Sequence, residues 1–583
     1  MTPTPQSATC ISPINVQKHS WYDPLLRNNN NNNNNSDDAD EMTRTLTPHT
    51  QEEDPSENST ATNDTEPSVQ RKLNVTQLAV LVFYNVSGGP FGIEPSIRAA
   101  GNMYAIIGFL VLPFIWSVPE ALVTAELGST FKSSSGGVIW VQTAFGDLPG
   151  ALCGYFNWLS GATDNAIYPT LFLSYVIGDT LSGIERFIYV TAMSISLAAL
   201  NYLGLEIVGN ASIIVCIIAM SPFVIMTVIG AGKIDPANWF QLPVAGANAS
   251  DLFDDDFETA PGLLPLVSFG ILLRPFLNNM FWNLNSFDSA ASFAEESADV
   301  KRTFPRGIFY GLGLCYVLYL IPVLIVTGAT DYEQKDWVDG HLATVASDIG
   351  GDWLGAWTVF ACGISNLALF EAEMSADAYQ LMGMAEQGYL PSVFKTRSKY
   401  GTPTVGILVG TFVIALMSVA DFSQLLEILN ANYGISLLLE YAAFVKLRIH
   451  RKDLHRPYRI PISDWAAILF VIPPCLGILA IFAVSSWVTW FFVMGSFAFC
   501  LGSIGLQRIA RHRGWCEYES PSSSQIRNAE YDGIILDDEQ DDETMADGIF
   551  EYNEELEFKE ELEFKEEVKL VSSISRLGPS EIL

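Results

Sequence analysis

Between Leu73 and Arg508 the chain repeats apolar runs of about 20 residues, each long enough to cross a hydrocarbon core of about 30 Å. Inside such a core no water satisfies a peptide group, so each run must be an α-helix that closes its own hydrogen bonds. Twelve spans are read, near residues 75–99, 102–127, 148–176, 184–203, 205–230, 264–297, 305–328, 353–384, 403–420, 423–447, 463–484 and 486–507. With 49% hydrophobic and 16% charged residues in 583, the chain reads as an all-α, polytopic, multi-pass integral membrane protein and not as a series of soluble domains. Three segments are expected: a tail over residues 1–73, a transmembrane domain over 74–510 and a second tail over 511–583.

The formal net charge of −34 comes largely from the tails, where 11 acids against 5 bases precede Leu73 and 21 against 5 follow Trp515. The first tail holds an Asn run from Asn28 to Asn35 and the second a tandem EELEFK from Glu554 to Lys565, compositions that offer no core and read as solvated disorder. Their charge repels nucleic acid. Eight scattered cysteines show neither CxxC nor histidine-paired spacing, so no metal or other cofactor is expected. With the N-terminus inside, the inward loops hold Lys301, Arg302 and Arg306, then Lys395, Arg397 and Lys399, then a basic series from Lys446 to Arg459. The outward loops hold little beyond Arg186, Lys233 and Lys335, and one carries the sequon Asn248-Ala249-Ser250. This asymmetry predicts an even number of spans and two cytoplasmic termini.

Two spans contain breaks. A membrane helix abandons its backbone hydrogen bonds only where it lines a polar cavity, so breaks point to binding sites. In the first span Ser87-Gly88-Gly89-Pro90-Phe91-Gly92 sets three glycines around a proline that has no N–H. In the sixth, Phe281-Trp282-Asn283-Leu284-Asn285-Ser286 offers amides and a hydroxyl to take over freed backbone groups. Five spans separate the breaks, as a 5+5 inverted repeat with a site near the midplane requires.

The segments SGGPFGIEPSIRAAG, IWSVPEALVTAELG, GGVIWVQTAFG, NWLSGATDNAIYP, FWNLNSFDS, AEMSADAYQLMGMAEQGYLP, KYGTPTVGIL and RPYRIPI occur in this order between about Leu78 and Arg508. They resemble the plant polyamine-uptake transporters, a branch of the amino acid–polyamine–organocation superfamily near the L-type amino acid transporters. The resemblance implies a LeuT-like fold and uptake of polyamines coupled to a cation, expected to be the proton.

Carboxylates within spans are costly, at least about 2.5 kcal/mol near the bilayer centre, so each needs a partner or a function. Glu94 follows the first break, Asp164 lies in the third span, Asp288 follows the second break, and Glu371, Glu373 and Asp377 lie along the eighth. An amino acid carrier of this fold holds its substrate carboxylate on the amides of the first break. Here Pro90 removes one of those donors and Glu94 adds negative charge, which favours a cationic guest held by carboxylates and aromatic faces. The substrate site is therefore read as Gly88, Gly89, Phe91, Gly92, Glu94, Asp164, Tyr168, Trp282, Asn283, Asn285, Asp288, Glu371 and Tyr433, with Phe281 a further aromatic wall. For Asp164 and Asp288 the competing reading is a structural ion pair; for Glu371 and Glu373 it is an inward gate or contact with the basic loops. Glu120, Glu126, Glu373 and Asp377 are candidates for coupling or gating, and either Glu120 or Glu126 serves as proton carrier or as part of a cytoplasmic gate. Arg274, two turns before the second break, fits poorly with a cationic guest: facing the site, it would favour a substrate carboxylate.

No Walker A pattern is present, since GAGKI at Gly230 to Ile234 lacks both spacing and hydroxyl, and no hydrolase or kinase motif appears. The chain thus reads as a carrier and not an enzyme, the resemblance implying import of polyamines of the putrescine and spermidine class, with the plasma membrane its expected location and an endomembrane the alternative. A cationic or neutral amino acid carrier and a non-transporting nutrient sensor are the alternatives, and an accessory subunit is left open.

Overall fold

The computed structural model describes residues 73–177, 183–203, 205–244, 252, 267–417 and 422–518. The Asn run, the EELEFK tandem and the Asn248 sequon lie outside the described residues. Asn74 opens the first helix, α1 (Val75–Val86), with a reciprocal capping box in which its side chain accepts from Gln77 N while Gln77 Oε1 accepts from Asn74 N, both at 3.0 Å. After the first break, α2 (Glu94–Ile115) combines the end of the first span with the start of the second, the chain reversing at Gly101 where φ is 71°. The second span continues as α3 (Ser117–Phe131), offset at Trp116.

A short helix, α4 (Gly137–Phe145), leads into the third span, α5 (Asp147–Ile177), followed by α6 (Gly183–Asn201) and α7 (Leu205–Gly230). A two-stranded hairpin, Val267–Ser268 with Ile271–Leu272, precedes the sixth span, whose first half is α8 (Leu273–Leu284) and whose second half resumes as a 3₁₀ turn at Asp288–Phe293. Then come α9 (Thr303–Ala329), the short α10 (His341–Gly350), α11 (Asp352–Glu386), α12 (Thr404–Met417), α13 (Phe422–His450), α14 (Ala466–Val484) and α15 (Trp487–His512).

The helices follow the twelve expected spans, with two differences. Residues 264–272 of the expected sixth span are not helical where described, and the loops carry α4 and α10, two short helices absent from the reading. Seven helical stretches of the described residues are individually long and apolar enough to cross a membrane, among them Glu94–Phe131, Thr303–Ala329 and Trp487–His512. The interrupted spans fall short because their breaks leave stubs of 12 residues, Val75–Val86 and Leu273–Leu284.

Packing repeats between the halves. Span one lies on span seven (α1 on α9) as span six lies on span two (α8 on α2). Span three lies on span ten (α5 on α13) as span eight lies on span five (α11 on α7), and α1 on α7 is matched by α8 on α13. Each pairing is the one that a 5+5 repeat maps onto the other. The half of α11 from Ala368 to Ala385 is buried throughout, which puts the polar side chains of α5 and α11 at the centre. In contrast α15 exposes Phe491 and Met494, and Trp353, Trp465 and Trp487 stand exposed at the starts of α11, α14 and α15, as aromatic anchors at a membrane interface do.

Candidate functional site

Both breaks are real, and neighbouring spans satisfy the backbone groups they free. At the first, Gly89 and Gly92 adopt φ of 88° and 84°, a region closed to most side chains. Ser87 Oγ accepts from Gly89 N at 3.0 Å, Glu94 Oε2 accepts from Gly92 N at 2.9 Å, Asn279 Nδ2 donates to Gly92 O at 2.8 Å, and Ser365 on α11 donates to Gly88 O. At the second, Ser117 Oγ on α3 donates to Leu284 O, and Glu120 Oε1 accepts from Phe287 N and, at 3.3 Å, from Asp288 N. Ser117 and Glu120, one turn apart on one helix, thus close the two sides of the second gap. Ser286 is held there at a φ of 78°, a strained value for serine, with its N–H on Tyr433 Oη at 3.2 Å.

The gaps meet at a small cavity lined by Ser87, Gly88, Phe91, Asp164, Tyr168, Trp282, Asn283, Tyr319 and Asn366, with aliphatic contributions from Val86 and Leu369. Trp282 donates its indole N–H to Asp164 Oδ1 at 2.8 Å, and its ring covers Gly92 so closely that a Cβ there would come within 2.9 Å of it. Tyr319 Oη donates to Asn283 Oδ1 at 2.7 Å. Asp164 is the one charged residue among the lining side chains.

Beyond Asp164, Glu373 and Asp377 of α11 converge on Gly161 of α5: a Cβ at Gly161 would meet Asp377 Oδ1 at 2.2 Å and Glu373 Oε1 at 2.7 Å. Both acids are buried, and among the described residues neither they nor Asp164 form an ion pair with a cation. A second group surrounds Tyr433, whose hydroxyl contacts both Glu120 Oε1, at 2.8 Å, and Asp288 Oδ1, while Asn157 Nδ2 donates to Asp288 Oδ2 at 3.0 Å. The Tyr433 hydroxyl thus bridges the two carboxyls, with one phenol proton between two acceptors.

Other expected residues lie elsewhere. Glu94 caps the first break and is absent from the cavity lining. Glu371 points to α6, where Asn201 Nδ2 donates to its Oε2 at 3.0 Å; two residues along a helix turn the side chain about 200° from Glu373. Asn285 is buried with both amide atoms unpartnered among the described residues. Phe281 packs between Trp116 and Tyr433, at ring separations of 5.5 and 6.0 Å, and is not a cavity wall. Glu126 sits away from the breaks in a basic cage, bonded to Arg448 Nη1, 3.2 Å from Arg456 Nε, and accepting from Ile460 N at 2.8 Å. Arg274 does not face the cavity: it lies 3.8 Å from Glu427 of α13 and donates to Val484 O at 2.8 Å.

Sequence reasoning missed Glu440, which lies 3.7 Å from Cys153 Sγ on the Asp288 side of α13, together with Tyr319 and Ser365. A signal for Glu440 existed, since an acid in the tenth span seven residues after Tyr433 shares its helix face.

Residues 73–506 match the family model described as amino acid permease. The chain belongs to the amino acid permease family. The permease is 38% identical over 494 residues to a probable polyamine transporter of Arabidopsis thaliana, covering 83% of this chain and 97% of the relative. It is 41% identical over 423 residues to polyamine transporter PUT1 of Oryza sativa subsp. japonica, covering 72% and 75%, and 41% identical over 418 residues to polyamine transporter RMV1 of Arabidopsis thaliana, covering 71% and 80%. This places the permease in the plant polyamine transporter branch of the amino acid–polyamine–organocation superfamily, as an integral, multi-pass transporter and not an enzyme.

Proposed function

We propose that the permease imports polyamines of the putrescine and spermidine class across the plasma membrane by proton symport, both termini being cytoplasmic. The observation that carries the substrate class is Asp164, held by Trp282 at the meeting of the two gaps, with Glu373 and Asp377 beyond it and, among the described residues, no cation ion-paired with any of the three acids. An alkyl ammonium supplies what this wall lacks: charge for the carboxylates and methylenes for Phe91, Tyr168 and Trp282. Two further observations weigh against an amino acid. The Gly92 N–H that would receive a substrate carboxylate is already taken by Glu94, and Arg274, a cation that could attract one, is turned to Glu427 and Val484. The relatives' names agree with the reading.

Proton coupling is supported by the Glu120–Tyr433–Asp288 contact, where two carboxyls share one phenol directly on the second break and offer a place to hold a further proton. Glu126, caged by two arginines, suits a lock on the face that bears the basic loops better than it suits a proton carrier.

The test is uptake of labelled putrescine and spermidine in a transport-deficient host. Uptake is expected to be blocked by unlabelled polyamines and not by leucine or arginine, to rise with an inward proton gradient and to collapse with a protonophore. Uptake blocked by amino acids and indifferent to polyamines overturns the substrate; uptake indifferent to the proton gradient overturns the coupling.

A further inference from the structure

Glu373 is 4% exposed, its Oε2 has no hydrogen-bond partner among the described residues, and the acids that act on it are Asp377, Asp164 and Asp288, with the Tyr168 phenol also beside it. An acid placed so deep without a counter-charge is expensive, and replacing it by an apolar residue would remove the expense. The fold instead brings a second acid to the same spot. Both Glu373 and Asp377 present an oxygen within 2.7 Å of the position where a Cβ of Gly161 would stand, so the absence of a side chain at Gly161 is what lets the two carboxylates come together against the α5 backbone. Gly161 lies three residues before Asp164 on α5, which places this point about one helical turn, or about 4.5 Å, along the same face from Asp164. Two negatively charged stations one turn apart match two ammoniums joined by a linker of three or four methylenes.

We propose, building on the polyamine reading above, that Glu373 and Asp377 form a second ammonium subsite, so that a diamine unit is held at both ends: one ammonium at Asp164 beside Trp282, the other between Glu373 and Asp377 at Gly161. The site then measures the distance between charges and does not merely attract positive charge. A monoamine satisfies one station and leaves the other without a counter-charge.

The experiment is inhibition of labelled putrescine uptake by unlabelled butylamine and putrescine, which differ by the second ammonium alone, and by straight-chain diamines of two to eight carbons. It is run on the full-length wild type, Glu373→Gln, Asp377→Asn and Gly161→Ala, with membrane delivery followed on a fluorescent tag. In the wild type putrescine is expected to inhibit about tenfold better than butylamine or more, as a charge-assisted contact implies, with an optimum at three to four carbons. In each variant the advantage of putrescine falls to about twofold and the length optimum flattens, because the second ammonium has lost its station. Gly161→Ala makes the same prediction without removing a charge, since its methyl would displace both carboxylates from where they converge; should that variant fail to reach the membrane, the near-isosteric Glu373→Gln carries the test.

A wild type that prefers putrescine, with variants that keep both the preference and the length optimum, overturns the subsite and leaves the polyamine reading standing. A preference kept while the external pH dependence of uptake moves overturns it too, assigning these acids to proton handling. A wild type inhibited by neither amine overturns both.

Discussion

Glu126 and Glu373 are both glutamates buried within spans, yet their surroundings are opposite. Glu126 is fully enclosed by Arg448, Arg456 and the Ile460 amide, and Arg448 also reaches Asp464 at 3.4 Å and the carbonyls of Ile460 and Ile462 at 2.7 Å. Glu373 lies beside Asp377 at Gly161, with no ion-paired cation among the described residues. The first arrangement is complete without a ligand: the network ties α3 to the segment between α13 and α14. The Glu296–Arg397 pair at 2.9 Å is likewise an acid matched by an arginine, beside the pairing of Leu73 with the Ser297 region. The second arrangement contains no cation among the described residues. The presence of arginine is what separates the two groups of acids.

The contrast breaks most readily at Glu126. Glu126→Gln leaves Arg448 and Arg456 buried with half their charge unmet, and removing one partner of a buried pair costs about 3–5 kcal/mol. The purified variant is expected to show a clearly lowered apparent melting temperature, whereas Glu373→Gln, which strands no cation, melts at or above the wild type. Equal losses in both would erase the distinction.

A smaller effect is expected at Asp164. Asp164→Asn keeps an acceptor for the Trp282 indole but removes the charge that faces the guest, raising the KM for putrescine about 10- to 100-fold at near-normal surface delivery, the range of one charged hydrogen bond. An unchanged KM removes Asp164 from the site. The smallest effect belongs to Lys335→Ala. Lys335 pairs with Glu333 at 2.7 Å on the surface, far more exposed than either interior group, and the hydrogen bond from Lys335, aided by its charge, lowers the Glu333 carboxyl below its usual range. Melting and KM are both expected to stay at wild-type values, since solvent screens such a pair. A measurable change would show that charge alone, without burial, tunes this protein.

Local chemistry made much of the site legible. Glycines around a proline, and amides within an apolar run, announce a helix that cannot continue, and both breaks lie where those residues stand. Helix phase also told that Glu373 and Asp377 share a face. It could not tell which way that face turns, and Glu371, equally acidic and two residues away, looks at Asn201. Tyr433 looked like an aromatic wall, but its hydroxyl, not its ring, meets the two acids. Arg274 was ambiguous for the same reason: its partner Glu427 lies 153 positions later in the chain. The short helices α4 and α10 escaped notice because nine or ten residues carry too little periodicity to separate from loop.

What the amino-acid order determined by itself was the solvent each segment must enter and the places where a helix would fail, because hydration and backbone hydrogen bonding depend on neighbours close in the chain. The meaning of each buried acid was decided only by folding. Electrostatic compensation depends on distance through space, and whether a carboxylate ends beside an arginine or beside another carboxylate is settled when helices remote in sequence are packed against one another.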